Sequence, residues 1–437
     1  MSISSLSLSD SSDEELENIC QLAETYAQLY QKIEHINNED EGSSRKRRRR
    51  TYIERNREDG HTRLFNDYFS DNPVYPSSYF RRRFRMRKHV FLRIVDRLSN
   101  EMEFFQQRRD ATGRDGLSAL QKCTAAIRVL AYGTTTDTVD EYLRLGESTT
   151  RACLKQFVEG ICSLFGEEYL RRPNSTDVQR LLFVAETRGF PGMLGSIDCM
   201  HWEWKNCPAA WKGQFERGDH GKPTVILEAV ASYDLWIWHA FFGTPGTCND
   251  INVLDRSPVF NDVLNGRAPE VNFVINNHQY NMGYYLTDGI YPPWATFVQS
   301  IRLPQGYKAQ LFAQHQEAVR KDVERAFGVL QARFAFIKTP SLIWDINLLG
   351  KIMRACIILH NMIVEDERDT YVHYYDTSQY DQVKTNDNSN WSYNNTRHAT
   401  MDQYLRNRMR LRARETHHQL KADLVEHIWE KFGQSTN

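Results

Sequence analysis

Apolar positions recur at helical spacing through the first half of the chain. Between residues 79 and 98, Phe80, Phe84, Val90, Phe91, Ile94, Val95 and Leu98 mark one face of an amphipathic helix whose other side is rich in Arg. Further helical patterns cover 117–132, 138–145 and 148–165, the short middle one bracketed by Gly133 and Gly146. This trio has the lengths and punctuation of a helix-turn-helix module, with Ser148 as N-cap and Arg151 and Lys155 near the start of its last helix. A plain bundle supporting the following domain would read the same way. Near the N-terminus, Ser11-Ser12-Asp13-Glu14-Glu15 opens another periodic stretch, 16–36.

At Phe190 the pattern changes to short β-rich runs separated by Gly, Pro and Asn. Strands are predicted over 193–204, 224–233 and 235–242, with Tyr233-Asp234 as a hairpin turn, and a fourth over 284–288. Helices are predicted over 249–264, 315–334 and 348–364. Three consecutive strands, a helix, a strand and a final helix predict an α/β sandwich with a mixed sheet. Residues 366–400, polar with few aliphatics, read as disordered, and 401–432 return to helix with an Arg-rich start.

Composition changes this picture little until it is divided along the chain. The 437 residues are 41% hydrophobic and 25% charged, an ordinary globular composition, and the net charge is −1. Residues 1–44, however, hold ten acids and one Lys, whereas 45–100 hold 17 Arg or Lys against six acids, +11. Such segregation points to an electrostatic partner such as a phosphate backbone. The run Arg45-Lys46-Arg47-Arg48-Arg49-Arg50 reads as a nuclear-localisation signal or a phosphate-contacting arm. The eight Cys lack a CxxC, and no secretory signal or membrane-spanning stretch stands out. A reducing compartment, cytoplasm or nucleus, is therefore expected. Cys199, His201 and Cys207 fit no zinc spacing.

Three carboxylates stand where solvation does not explain them. Asp198 interrupts the apolar strand Met193-Leu194-Gly195-Ser196-Ile197-Asp198-Cys199-Met200. Asp288 closes the fourth strand, followed by Gly289 and the turn Tyr291-Pro292-Pro293, at the mouth where loops build sites in α/β sheets. Glu324 lies at the margin of the stripe Val323, Ala326, Phe327 and Leu330, and could equally pair with Arg320 or Arg325. Two strand-borne Asp and one helix-borne Glu are the hard oxygen donors that two divalent cations require. His201, three residues after Asp198, should face the other side of the strand. Lys205, Lys212, Arg217 and Lys222 could meet phosphate in the loop between the first two strands, and Trp202, Trp204, Trp211, Trp236 and Trp238 could pack the core or stack on bases.

Four ordered blocks now carry a resemblance. Leu194-Gly195-Ser196-Ile197-Asp198-Cys199-Met200-His201-Trp202, Gly243-Thr244-Pro245-Gly246-Thr247-Cys248-Asn249-Asp250-Ile251-Asn252-Val253-Leu254, Asp288-Gly289-Ile290-Tyr291-Pro292 and Val323-Glu324-Arg325-Ala326-Phe327-Gly328-Val329-Leu330 resemble the motifs of PIF/Harbinger-type DDE transposases, plant branch. Cys199-Met200 replaces the Gly-Thr of the broader family. The resemblance implies an RNase H-like mixed-sheet catalytic domain preceded by an all-α, helix-turn-helix-like region. It also implies that Asp198, Asp288 and Glu324 hold two Mg²⁺ or Mn²⁺ ions for DNA strand cleavage and strand transfer. Asp250 is then a supporting residue or the N-cap of the next helix. Arg81, Arg82, Arg83, Arg151, Lys155, Lys205 and Lys212 are the candidate DNA contacts.

The expected organisation is an acidic tail (1–44), a basic arm (45–78), a helical DNA-binding region (79–185), the catalytic domain (186–365), a linker (366–400) and a terminal helix (401–437). Partners implied by the resemblance are inverted-repeat and A/T-rich target DNA, a Myb/SANT-like companion and further copies of the chain, in the nucleus and without a membrane. The alternative is a domesticated transposase acting as a non-catalytic chromatin or transcription-complex subunit.

Overall fold

The computed structural model describes residues 53–368 and 400–433, apart from 110, 112, 136, 219–220 and 269–270. The expected tail helix (16–36), the basic run (45–50) and residues 369–399 of the expected linker lie outside these. Packing divides the chain into Met1–Glu54 and Arg55–Asn437, and the architecture below is that of the second unit.

Among the described residues, seven helices precede the sheet: α1 (Arg57–Tyr68), α2 (Ser77–Phe84), α3 (Lys88–Glu101), α4 (Ala119–Tyr132), α5 (Asp137–Leu143), α6 (Glu147–Tyr169) and α7 (Ser175–Thr187). The single helix expected over 79–98 is two, because Arg85 takes a left-handed conformation, φ 63°. This break folds Phe91 of α3 back onto Phe84 of α2, with ring centroids 4.8 Å apart. Helix α4 starts with a capping box formed by Ser118 and Gln121 and ends at Gly133, φ 63°. It buries nearly all of its circumference, so the expected trio is packed into the core on its first member.

The sheet contains β1 (Met193–Glu203), β2 (Glu216–Arg217), β3 (Lys222–Ala231), β4 (Ile237–Pro245), β7 (Tyr284–Thr287) and β8 (Phe297–Gln299). Strands β5 (Phe273–Ile275) and β6 (His278–Tyr280) form a separate hairpin. The main order is β4-β3-β1-β7-β8, with β2 extending the start of β3. Strands β1, β3 and β4 pair antiparallel, whereas β7 runs parallel to β1 and β8 parallel to β7. The chain is thus mixed α/β, as expected. The hairpin before β4 closes through the Ser232 N–H donating to Trp236 O, with Leu235 left-handed at φ 67°.

The later helices are α8 (Lys212–Phe215), α9 (Asp250–Arg256), α10 (Asn261–Leu264), α11 (Gly306–Arg333), α12 (Ile346–Asp366), α13 (Met401–Leu411) and α14 (Arg414–Phe432). Two expected helices are therefore divided. Pro258, which disfavours helix in the residue before it, leaves Ser257 extended and ends α9 early. Ala413, with ψ 108°, separates α13 from α14.

One apolar core runs from the helices into the sheet, joining Phe91, Ile127 and Phe157 to Trp202, Leu227 and Ile358. Helix α12 is long and apolar enough to cross a membrane, but 67% of that stretch is buried inside the molecule. Its Asn361 is wholly buried and pins three elements: its amide accepts from Ile237 N–H (3.0 Å) and donates to Ile237 O (2.8 Å) and Tyr169 O (2.7 Å). Leucine there would strand all three backbone groups, so Asn361→Leu should cost about 3 kcal/mol or more, measured by urea denaturation.

Candidate active site

Side chains alternate across β1, and register divides them cleanly. Asp198 pairs with Ala229 and Cys199 with Glu228. Ser196, Asp198, Met200 and Trp202 take the face covered by α11: Ser196 Oγ reaches Val319 O (3.5 Å) and Gln331 reaches Met200 Sδ (3.1 Å). Cys199 and His201 take the other face. His201 Nδ1 lies 3.0 Å from Thr224 Oγ1, the hydrogen-bonded role its position predicts.

Helix α11 is set against β1 by a buried two-pronged ion pair. Arg188, just after α7, donates to both carboxylate oxygens of Asp322 at 2.5 and 3.2 Å. Arg320 and Glu324 flank Asp322 on the same helix. Arg320 donates to Asp198 Oδ2 at 3.3 Å and ion-pairs with Glu324 at 2.8 Å, so one guanidinium joins two members of the expected triad. Asp288 follows β7, two residues beyond the Ser196 and Leu286 pair, and its Oδ1 accepts from Ile290 N–H at 3.0 Å.

The acids sense one another. Burial pushes the Asp198 carboxyl up to about 6; the Cys199 N–H and Arg320 oppose this, while Asp288 and then Asp250 add to it. Asp250 is also raised, first by burial and then by Asp288, against a hydrogen bond with Cys199. Asn249, not Asp250, caps α9, its side chain accepting from Asn252 N–H at 2.9 Å. Asp250 is thus electrostatically coupled to the two strand Asp, whereas Glu324, 44% exposed, is engaged by Arg320.

Hard oxygen donors with surplus negative charge suit a divalent cation at Asp198 and Asp288. Among the described residues, however, no three His, Cys, Asp or Glu side chains converge to hold a metal. Glu324 would complete such a set only on leaving Arg320. Beside Asp288 opens a cleft of about 440 Å³ lined by Ser300, Arg302, Glu317, Arg320 and Lys321.

Glu228 is a residue the sequence reading passed over. It is fully buried on the Cys199 face, and neither carboxylate oxygen has a hydrogen-bond partner among the described residues. His239 Nε2 lies 3.4 Å away. An acid inside the apolar run of β3 is the same signal that singled out Asp198.

The candidate DNA contacts scatter. Arg81 pairs with Glu367 at 2.6 Å and Arg151 with Glu147 at 2.6 Å, while Arg82, Lys155, Lys205 and Lys212 are exposed. Arg83 is absorbed in packing, hydrogen-bonded to Tyr68 with its guanidinium 4.2 Å from the Tyr75 ring centroid. Trp202, Trp204 and Trp236 are buried, and Trp202 and Trp204 donate to Thr339 O and Ile343 O. Trp211 is 43% exposed.

Residues 167–371, which contain every acid of this site, match the family described as plant transposon protein. This match, over a little under half of the chain, supports a plant, Harbinger-type transposase-derived family. Residues 60–99 match a domain family of unknown function. Two Arabidopsis thaliana relatives align with the chain. A protein named ALP1-like is 26% identical over 262 residues, 58% of this chain and 63% of its own length. The protein named antagonist of like heterochromatin protein 1 is 24% identical over 253 residues, 57% and 63% respectively. The chain thus spans less than two thirds of either relative. No solved structure matches it significantly.

The raised Asp198 gives a pH signature. From pH 3.8 to about 6 the folded protein holds a proton that the unfolded chain releases, so stability falls as pH rises through that window. Asp198→Asn removes the titration. By urea denaturation the variant should exceed wild type by about 2 kcal/mol at pH 7.5 and show no such advantage near pH 4.

Proposed function

We propose that this chain is a metal-dependent DNA nuclease and transposase, cutting element ends and joining them to target DNA. The observation that carries the reading is the convergence of Asp198 and Asp288 on adjacent parallel strands, with Glu324 tied to Asp198 through Arg320. The strand order, three antiparallel followed by two parallel, supports an RNase H-like fold.

Asp198 and Asp288 would hold Mg²⁺ or Mn²⁺, with Glu324 binding a second ion. Such ions activate the attacking oxygen and stabilise the leaving one in an in-line displacement at phosphorus. Arg320 plays two parts: it neutralises Asp198 and Glu324 in the resting site, and once released it stands beside the phosphate. Arg302 and Lys321 line the same cleft and offset backbone charge. Water cleavage and attack by the freed 3′ hydroxyl use the same donors, since both are displacements at phosphorus. Asp250 supports the pair electrostatically. The helix-turn-helix role of α4 to α6, nuclear import through the 45–50 run, a Myb/SANT-like companion, A/T-rich targets and self-association belong to the same proposal.

A second reading has one observation in its favour: a relative is named for antagonism of a heterochromatin protein. Under it the scaffold binds chromatin proteins and the acids are idle. Cleavage of inverted-repeat DNA by the full chain with Mg²⁺ and its companion separates the two. Asp288→Ala should lower the rate by on the order of a thousandfold. Equal cleavage by wild type and variant would defeat the catalytic assignment, and no cleavage by either would favour the chromatin reading.

A further inference from the structure

A second cleft, of about 800 Å³, lies between the α7–β1 side of the sheet and α13, away from the Asp288 mouth. Among the described residues, five Arg side chains line it, Arg171, Arg172, Arg267, Arg354 and Arg410, against a single acid, Asp262. Asp262 is consumed by Arg172 at 2.7 Å and Arg267 at 3.4 Å, and Arg171 turns to Asp177 at 2.5 Å. Arg410 donates only to the neutral Asn281 amide at 3.0 Å. Among the described residues neither Arg354 nor Arg410 has a carboxylate partner, and both are exposed. The cleft is therefore a pocket of surplus guanidinium charge.

Its walls also hold unspent polar capacity. Thr296, 1% exposed, lines the cleft with a hydroxyl that has no partner among the described residues, and Arg267 Nε is likewise unsatisfied among them. Buried polar atoms left without partners are uncommon, and those that line a cleft are open to a partner from solvent or a bound molecule. Four Asn side chains add amides that can both donate and accept. Beyond the rim, Arg406 and Arg408 of α13 are exposed and extend the positive surface.

We propose that this cleft binds a single strand of DNA, with Arg354 and Arg410 on its phosphates and the amides toward base edges. Guanidinium groups match phosphate oxygens in pairs, and Asn amides match the donors and acceptors of bases. A volume of this size admits a few nucleotides of one strand and not a duplex. The choice of DNA among polyanions rests on the function proposed above; the anion site itself does not.

The test is binding by the full chain, in EDTA so that cleavage plays no part, of a fluorescein-labelled single-stranded DNA of about 15 nucleotides. The double variant Arg354→Ala/Arg410→Ala, both exposed positions, should keep the wild-type melting temperature. It should bind the strand about tenfold more weakly, with the slope of log affinity against log salt reduced by about 1.4. Arg354→Lys/Arg410→Lys should recover most of the slope. Unchanged affinity in the alanine variant overturns the site. An equal loss for a labelled poly-glutamate of similar length overturns the DNA assignment in favour of an acidic peptide. Neither result depends on whether Asp288 supports cleavage.

Discussion

The Arg188–Asp322 ion pair fixes where the candidate chemistry can happen. Both side chains are almost completely buried, and the guanidinium grips both carboxylate oxygens, so α11 can neither slide nor roll on β1 without leaving charges stranded in the core. With Asp322 held, Arg320 two residues earlier reaches Asp198, and Glu324 one turn further on is held by the same guanidinium. Arg325 adds a second partner to Asp322 from the following turn. A buried ion pair contributes little net stability when an apolar pair could replace it, but it selects one register among several. Selection of register is what a site shared between a strand and a helix needs.

That dependence explains which parts of the site were legible in the sequence. Asp198 could be found because an acid in an apolar strand has no bland explanation, and Asp288 because strand ends in α/β sheets are where loops gather. Pairing of Glu324 with Arg320 follows from helical spacing. The Arg320–Asp198 contact could not be read, since it joins positions 122 residues apart on a strand and a helix whose packing the sequence does not show. Glu228 was readable by the argument applied to Asp198 and was passed over because it lies outside the motif blocks.

The fold was legible where period was sustained. Strands β1, β3 and β4 and helices α4, α6 and α12 appear close to their expected places, and α11 ends where expected but begins nine residues earlier, at Gly306, whereas β5, β6 and β8, each three residues long, are too short to show alternation. Breaks differ in kind. Pro258 declares itself in sequence through its ring, but Arg85 adopts its left-handed turn because the ring packing of Phe80, Phe84 and Phe91 outweighs local preference. Helix α4 likewise carried no mark of how completely it would be enclosed. Its burial makes the helical half a continuation of the sheet's core, pinned at the far edge by Asn361.

Electrostatics gives the molecule its division of labour. A net charge of −1 conceals an acid-rich strand mouth and an Arg-rich cleft on separate sides of one sheet. Carboxylates that raise one another's proton affinity gain most from a multivalent cation, whereas guanidinium groups lacking carboxylates gain most from phosphate. The two surfaces therefore suit different ions, and under the proposed function a nucleic-acid strand with its accompanying metal would supply both. Arg320 stands at the join of this scheme, since it is the cation that Asp198 and Glu324 hold in the structure; under the proposed function it would turn to phosphate once metal is bound. Without such a counter-charge, buried carboxylates close to one another take up protons instead. On a fixed helix, one arginine thus joins Asp198 and Glu324, 126 residues apart in sequence, into a single ion-paired group.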